Sequence, residues 1–337
     1  MKLVSYLKNQ EVRTGIIINE KVYDLVENGK AIKQEFPNTM LELLWHEDAG
    51  MAAARRIESA IKAGETSITA DKITMLAPIP NPPSCRDAYA FRQHVATARR
   101  NRGVDMIPEF DQYPIFYFTN HNAIYGEGNI LVEDDHLQKL DFELEVAIVV
   151  GKRGKNISSK DADQYIAGYT IMNDLSARVL QMEEMKLNLG PAKGKDFATV
   201  IGPWLVTPDE LEQYKTETEF GNKYDLKMKA FHNGKQVSEG SMKDMNWTFA
   251  EILERASYGT DIYPGDVIGS GTVGTGCYLE LNGTWALEAK AKGEEHTPIW
   301  LQDGDTIEMT IEGLGKLSNK ITKSPQSNSI LAKKKQA

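Results

Sequence analysis

The first 75 residues alternate between apolar and polar positions in a pattern that predicts strands, and then take up the spacing of helices. The predicted elements are strands at 3–7, 14–18 and 21–25 and helices at 39–45 and 50–63. The proline-rich stretch 76–83 follows and should be stiff and extended. We therefore predict a small N-terminal α/β domain over residues 1–75 and a larger domain that begins at residue 76.

Beyond the proline-rich stretch, the pattern is mostly that of β-strands. The predicted strands lie at 114–118, 167–172, 202–207, 225–231, 236–238 and 305–312, and the predicted helices at 87–100, 159–165 and 248–257. The helix at 87–100 would carry Asp87 and His94, which are seven residues apart, on one face. The polar, lysine-rich residues 325–337 are expected to form a disordered tail, which ends the larger domain at residue 324.

The stretch 139–151 joins an acidic left half to an apolar, β-branched right half. The right half ends at Gly151 and predicts a buried strand. In the left half, Asp141, Glu143 and Glu145 occupy every second position, so a continuous strand places all three carboxylates on one face. Like charges side by side on a sheet repel one another, and burying them unpaired would cost several kcal/mol each.

Two arrangements would relieve this repulsion, and the stretch alone leaves both open. At the edge of a sheet, the acidic face would simply be solvated. Inside the protein, a divalent cation would neutralise the carboxylates. Because the ligands are all oxygen atoms, that cation would be Mg²⁺ or Ca²⁺ rather than zinc.

Composition narrows the class of protein. With 337 residues, of which 41% are hydrophobic, the chain can bury a sizeable core, and a net charge of −9 argues against nucleic acid as a partner. The two cysteines, Cys85 and Cys277, are too few for a disulfide scaffold. No run of about 18 apolar residues occurs, so we expect no membrane span. The first residues lack the apolar stretch of a signal peptide, which predicts a cytoplasmic protein.

A single acidic residue lies within another apolar stretch of the sequence. Glu280 is flanked by Leu279 and Leu281. It either faces solvent from a strand or is buried with a partner, since an unpaired buried carboxylate is costly.

Three separated motifs occur in a family's characteristic order: Glu143-Leu144-Glu145, Asn173-Asp174-Leu175-Ser176-Ala177-Arg178, and Gly194-Lys195-Asp196-Phe197-Ala198-Thr199. Together they resemble the fumarylacetoacetate hydrolase family, over about residues 75–320. The residues that this resemblance implies at the metal are Glu143, Glu145, Asp174 and Thr199, with Lys195 at the metal and substrate.

Two further matches resemble the fumarylacetoacetate hydrolases proper within that family. Asp87 precedes His94 at the spacing at which those enzymes carry a metal ligand and a general base. Thr272 and Glu280 match the segment whose glutamate orients that histidine. Thr97, not a glutamate, lies three residues after His94, whereas many smaller acylpyruvate hydrolases of the family carry a His-x-x-Glu arrangement.

The substrate-binding positions match less completely. Tyr117 and Gln181 fall where the hydrolases carry substrate-contacting residues, and Thr272 is a third candidate. Met185 stands where they carry a second substrate-contacting tyrosine. No arginine aligns clearly with the family residue that would bind the substrate carboxylate. The nearest candidate, Arg102, lies one position away from it. These departures leave the identity of the substrate open.

The resemblance implies a fold and a reaction. The fold is α+β and β-rich, with a mixed β-sandwich roll as the catalytic domain behind the small N-terminal domain, and the protein is expected to be a homodimer. The reaction is hydrolysis of a C–C bond in a small β-diketo acid such as fumarylacetoacetate or an acylpyruvate. His94 would take a proton from water while Glu280 holds its ring, Lys195 would donate to the oxyanion, and Mg²⁺ or Ca²⁺ would stabilise the enolate leaving group.

Two other classes of function stay open. A family lyase activity, either oxaloacetate decarboxylation or sugar-acid dehydration, would use the same metal site without the His94–Glu280 pair. A non-catalytic, Ca²⁺-stabilised β protein would need no pocket. A histidine hydrogen-bonded to Glu280 would favour hydrolysis over lyase chemistry, and a cation site that faces a pocket would speak against the non-catalytic protein.

Overall fold

The computed structural model describes residues 1–326 and 328–333. The N-terminal elements are β1 (Lys2–Lys8), β2 (Glu11–Ile18), β3 (Lys21–Asp24), α1 (Leu25–Ala31), α2 (Met40–Trp45), α3 (Glu47–Lys62) and β4 (Thr74–Met75). The next elements are β5 (Cys85–Ala88), α4 (Arg92–Asn101), β6 (Phe116–Thr119), β7 (Ile124–Tyr125), β8 (Gly128–Val132), α5 (Asp134–Leu137), β9 (Leu140–Asp141), β10 (Leu144–Val150), β11 (Gly154–Lys155), α6 (Ser159–Ala162), β12 (Ile166–Asp174), β13 (Ser176–Ala177) and α7 (Arg178–Glu184).

The C-terminal half is richer in strands. Its elements are β14 (Thr199–Val206), β15 (Lys215–Thr218), β16 (Gly221–Tyr224), β17 (Lys227–His232), β18 (Lys235–Ser241), α8 (Phe249–Ser257), β19 (Asp261–Ile262), β20 (Val267–Gly269), α9 (Tyr278–Ala291), β21 (Thr306–Ile311) and β22 (Gly315–Lys323). Short 3-10 turns join several of them.

Two sheets dominate the fold. The larger runs in the order β3-β2-β1-β14-β12-β10-β20-β5-β6, with β4 on β1 and β7 on β14, and the smaller in the order β18-β17-β21-β22-β8. Both are mixed, because β20 with β5 and β22 with β8 are parallel pairs. The α+β, β-rich fold class predicted from the sequence is confirmed.

Strand β10 lies in the middle of the larger sheet and contributes to two cores. Leu144 and Val146 face the core between the two sheets. Ala147 and Val149 face the core that helices α2 and α3 cover. Glu145 lies on the side of Ala147 and Val149, since strand side chains alternate. The face of β10 that carries Glu145 is therefore apolar farther along the strand and lies in the protein interior.

The N-terminal strands extend the larger sheet. Leu3 of β1 pairs with Leu205 of β14 in antiparallel register. Leu3, Ile16 and Ile57 share one core with Ala147 of β10. The division of the chain into domains at residue 75 remains a prediction, and the structure adds that both parts contribute to one sheet and one core.

Two local predictions in the site region were wrong. The stretch 139–151 is not one strand, because residues 142 and 143 separate β9, which pairs with β13 in a two-stranded sheet, from β10 in the larger sheet. Asp87 and His94 do not share a helix. Asp87 lies in β5, where it pairs with Gly269 and Tyr117, and His94 lies in α4. Pairing with two strands overrides the local helical spacing.

The tail predicted at 325–337 is described in part. Residues 327 and 334–337 lie outside the described residues. In the described part, Leu331–Lys333 forms a 3-10 turn. The buried carboxylate of Asp135 accepts the backbone N–H groups of Ile330 and Leu331, at 2.7 and 3.1 Å. This segment is therefore attached to α5.

Candidate active site

Four carboxylates meet at one end of the larger sheet. Asp87 comes from β5, Glu145 from β10, Asp174 from the end of β12, and Glu143 from the position just before β10. One oxygen atom from each lies within 4.8 Å of the others, and all four side chains are buried. Three of these residues lie in the strand run β12-β10-β20-β5, so the sheet itself brings the distant sequence motifs together.

Two glycines make room for this cluster. A Cβ on Gly269 would lie 2.6 Å from Asp87 Oδ1 and 2.9 Å from Glu145 Oε2. Gly271, at a φ of +78°, donates its backbone N–H to the same two oxygens, at 3.0 Å each. The sequence analysis did not predict that these two glycines belong to the site. The motif Gly269-Ser270-Gly271 after an apolar strand could have indicated it.

Two buried cations lie against the cluster. Lys195 Nζ contacts Glu143 Oε2 at 2.5 Å and Asp174 Oδ2 at 2.6 Å. Arg178 Nη2 contacts Glu143 Oε1 at 2.7 Å and Asp141 Oδ2 at 2.8 Å. Five carboxylates thus share two positive side chains, so the cluster keeps an excess of negative charge.

This charge balance shifts the pKa of each carboxyl group. Burial, with the nearby Asp87 charge, holds the pKa of Glu145 well above its usual range. Burial and the Asp174 charge raise the pKa of Asp87 to about 7. Burial also raises the pKa of Asp174, although Lys195 opposes it. For Glu143, burial is outweighed by Lys195 and Arg178, which lower the pKa to about 2.

The carboxylate cluster fits a divalent cation. Asp174 Oδ1 is buried and has no hydrogen-bond partner among the described residues. Asp87 and Glu145 repel one another unless one is protonated. An all-oxygen ligand set of this kind suits a hard cation such as Mg²⁺, Ca²⁺ or Mn²⁺. Thr199 lies opposite Asp174 in the β12–β14 register, and its role as a metal ligand remains a prediction.

The predicted histidine–glutamate pair is present. His94 Nδ1 lies 2.7 Å from Glu280 Oε2, and both side chains are buried. Glu280 Oε1 accepts the Thr275 N–H at 3.0 Å. The strand alternative for Glu280 was wrong, because this residue lies in the first turn of α9. Tyr89 packs edge-on against the imidazole.

A cavity of about 590 Å³ joins the two clusters. Of the predicted site residues, those that line it are Asp87, His94, Arg102, Tyr117, Glu143, Gln181, Lys195 and Thr272. The Tyr117 hydroxyl donates to Asp174 Oδ2 at 2.6 Å, and Gln181 Oε1 accepts from Arg178 at 2.9 Å. Arg102 Nε donates to the Ala98 carbonyl at 3.2 Å. The outer wall includes Met185, in the place of the expected tyrosine.

Asp141 is not part of the carboxylate cluster, contrary to the prediction that it shares a face with Glu143 and Glu145. Its carboxylate accepts the N–H groups of Tyr278 and Leu279, at 2.7 and 2.9 Å, and the Arg178 Nε–H at 2.9 Å. It therefore caps α9, the helix that carries Glu280, and holds the arginine that contacts Glu143. No local pattern could show this connection.

Replacing Asp141 by alanine should lower the free energy of unfolding by about 3 kcal/mol, because Arg178 would keep only one of its two buried acidic partners. Urea unfolding measures this change. Asp111→Ala is the matched control, since Asp111 pairs with Arg92 on the surface. A similar loss of stability in both variants would contradict the structural role given to Asp141.

The fold and the site together match a known family of enzymes. The family model "Fumarylacetoacetate (FAA) hydrolase C-terminal" matches residues 84–322, and the chain belongs to this family. Among curated relatives, the oxaloacetate tautomerase YisK of Bacillus subtilis is 28% identical over 319 residues, which cover 91% of this chain and 95% of that protein. The mitochondrial oxaloacetate tautomerase FAHD2A of Homo sapiens is 28% identical, covering 88% and 83%.

The similarity to a fumarylacetoacetase is closer in identity but shorter. The enzyme of Oryza sativa subsp. japonica is 35% identical over 202 residues, which cover 51% of this chain and 46% of that protein. The chain is thus shown to belong to the family. It is not shown to belong to the fumarylacetoacetate hydrolases proper, the subgroup that the sequence suggested.

Solved structures share the fold over nearly the whole chain. A putative HpcE protein from Mycobacterium smegmatis matches with a TM-score of 0.70 at 22% identity, covering 96% of this chain and 99% of that one. Maleylpyruvate hydrolase from Sphingobium sp. SYK-6, in complex with manganese and pyruvate, matches with a TM-score of 0.66 at 19% identity, covering 96% and 100%.

In residues 1–326 and 328–333, no helix is long and apolar enough to cross a membrane.

Proposed function

We propose that this protein hydrolyses a C–C bond in a β-diketo acid of the acylpyruvate or fumarylacetoacetate type. The observation that supports this most is the His94–Glu280 pair, whose histidine lines the same cavity as Asp87 and Glu143 of the carboxylate cluster. A cation held by Asp87, Glu143, Glu145 and Asp174 would supply Lewis-acid chemistry to the oxygens of a 1,3-dicarbonyl substrate. The remaining steps are carried by side chains of the protein.

His94 is the general base of this proposal. It takes a proton from water, whose oxygen forms a bond to the acyl carbonyl carbon. Glu280 accepts the Nδ1–H of His94, which fixes the ring and stabilises the imidazolium that forms. Base catalysis of this kind is typically worth about 10²–10⁴-fold. The burial of both side chains strengthens their interaction, since the surroundings screen it poorly.

The next step is cleavage of the C–C bond, in which the proton taken up by His94 is returned. The bond between the acyl carbon and the methylene carbon breaks, and its electron pair stays with the methylene carbon, which takes up a proton. The products are a carboxylic acid and an oxo acid, which is a 2-oxo acid from an acylpyruvate and a 3-oxo acid from fumarylacetoacetate. Lys195 uses two of its N–H donors on Glu143 and Asp174, so the third is available to a substrate oxygen in the cavity that it lines.

Oxaloacetate tautomerisation is the second candidate. It is favoured by the two relatives that match over most of their length and are named for that activity. The same His94 would move a proton between carbon and oxygen, without attack by water. Decarboxylation or dehydration would use the metal site without the histidine–glutamate pair, and the intact pair therefore favours the first two reactions.

A direct comparison of substrates tests the proposal. Purified protein with Mg²⁺ or Mn²⁺ would be given acetylpyruvate, fumarylacetoacetate and enol-oxaloacetate, with products identified by NMR. We expect C–C cleavage with a kcat/KM within the usual enzyme range of about 10⁴–10⁸ M⁻¹s⁻¹ for the best substrate. Proton exchange on oxaloacetate without any cleavage of the diketo acids would favour the tautomerase instead.

We also propose that the protein works in the cytoplasm and as a homodimer, the second of which the sequence resemblance implies. Sedimentation of the purified chain tests the dimer directly. A monomer at micromolar concentration would contradict this part of the proposal and leave the chemistry untouched.

A further inference from the structure

A third reactive side chain lies beside the His94–Glu280 pair. The Cys277 sulfur, a ring nitrogen of His94 and a carboxylate oxygen of Glu280 all lie within 4.8 Å of one another. All three residues are buried, and Cys277 is fully enclosed. Cys277 occupies the N-cap position of α9, yet its side chain makes no capping hydrogen bond. The proposed hydrolysis assigns no role to this thiol.

The donor set differs in kind from that of the carboxylate cluster. One imidazole, one thiol and one carboxylate are the ligands that zinc takes in proteins, and three protein ligands with one open position are typical of its reactive sites. The four carboxylates favour hard cations, whereas sulfur favours softer ones. Two neighbouring groups of ligands with different metal preferences therefore lie at one cavity, which His94 of one group and Asp87 and Glu143 of the other line.

We propose that His94, Cys277 and Glu280 form a second metal site, which takes zinc or a similar thiophilic cation and switches the enzyme off. Tetrahedral coordination at zinc bond lengths sets its ligand atoms roughly 3.3–3.8 Å apart. The contact of 2.7 Å between His94 and Glu280 must open slightly to admit the ion. The cysteine sulfur, within 4.8 Å of both, needs a shift of at most about 1.5 Å.

The cation would enter from the cavity, because His94 lines it. Its open coordination position would be filled by water. Burial raises the pKa of the Cys277 thiol well above its usual range, so the thiol carries a proton until the metal arrives. Binding then forms a metal–sulfur bond and releases that proton, without any change of oxidation state.

Inhibition follows from the loss of the free imidazole. Coordination through Nδ1 would replace the hydrogen bond to Glu280, and coordination through Nε2 would occupy the lone pair that takes a proton from water. Either removes the base. This consequence rests on the proposed function, in which His94 is that base, whereas the metal site itself does not.

Cobalt spectroscopy tests the site independently of activity. Co²⁺ added to the protein in saturating Mg²⁺ should give a thiolate-to-cobalt charge-transfer band in the near ultraviolet. Cys277→Ser should lose this band. Cys85→Ser is the matched control, since Cys85 is equally buried but lies in β5, and it should keep the band. A wild-type protein without the band, or a Cys277→Ser variant that retains it, would overturn the proposal.

Zinc titration tests the switch. With excess Mg²⁺, stoichiometric Zn²⁺ should lower wild-type turnover by about 10²-fold or more, the loss expected when a general base is removed, and a zinc-selective chelator should restore it. Cys277→Ser and Cys277→Ala, each normalised to its own zinc-free rate, should resist. Equal inhibition of the wild type and both variants would place the zinc at the carboxylates and refute the switch. A wild type with no hydrolysis would refute the proposed function, while the cobalt band would still decide the metal site.

Discussion

Replacing His94 by alanine is expected to lower kcat by about 10²–10⁴-fold while metal affinity changes little. The imidazole lies against Glu280 rather than among the four carboxylates, so its removal takes away the base and leaves the cation ligands in place. Turnover of the best diketo acid and calorimetric titration with Mn²⁺ measure the two quantities separately.

The control for this variant is His121→Ala, since His121 is exposed on a loop. It should retain full turnover. Glu280→Gln should fall between the two, because it keeps the shape of the side chain and loses the charge that stabilises the imidazolium. Loss of Mn²⁺ binding in His94→Ala would mean that the histidine is a ligand at the carboxylate cluster, and its role as the base would be wrong.

Replacing Glu145 by glutamine is expected to abolish turnover and to weaken Mg²⁺ or Mn²⁺ binding by more than about 100-fold, beyond the loss usual for residues that merely support a ligand. Glu145 lies in the middle of the cluster, where Gly271 donates to one of its oxygens and Thr272 lies near the other. Glutamine keeps the size and removes the negative charge. Chelation of the wild-type protein should give the same loss, reversed by added Mg²⁺.

The control here is Glu239→Gln, on the exposed side of β18, which should bind metal and turn over like the wild type. Glu145→Gln protein must also unfold with wild-type cooperativity, so that loss of metal is not loss of fold. Undiminished turnover after complete chelation would remove the cation from the proposed chemistry.

Metal binding should release protons near neutral pH. The carboxyls of Asp87, Glu145 and Asp174 have raised pKa values, and that of Asp87 is about 7. Since a cation binds the ionised forms, affinity should fall as pH drops below about 7 and rise as pH increases through it. Calorimetry in two buffers of different ionisation enthalpy counts the protons. An affinity independent of pH between 6 and 8 would contradict these assignments.

The alternation of β10 was predictable because its residues obey one local rule. A strand with two buried faces must place Leu144 and Val146 on one side and Glu145 and Ala147 on the other, whatever the rest of the chain does. The separated motifs predicted that distant carboxylates would meet, and the resemblance supplied the histidine. The helical position of Glu280 was not predictable in this way, since its helix is capped from Asp141, 137 residues away.

Asp87 shows the other limit of sequence reasoning. The stretch from Asp87 to Arg100 has the composition of a helix, but its first residues are held as a strand by β20 and β6. Sheet partners that lie 30 and 182 residues from Asp87 decide that outcome. The role of Gly269 and Gly271 was hard to predict for a similar reason, because it depends on the carboxylates that pack against them in the folded protein.

The bonds from Asp141 to the amides of Tyr278 and Leu279 have one more consequence. Those two amide protons can exchange for deuterium only when the carboxylate releases the first turn of α9. The same carboxylate holds Arg178 against Glu143, so a cation that steadies Glu143 should slow the exchange at positions 278 and 279. Deuterium uptake at these two backbone amides therefore measures how strongly the metal-binding strand is coupled to α9, the helix whose Glu280 holds His94.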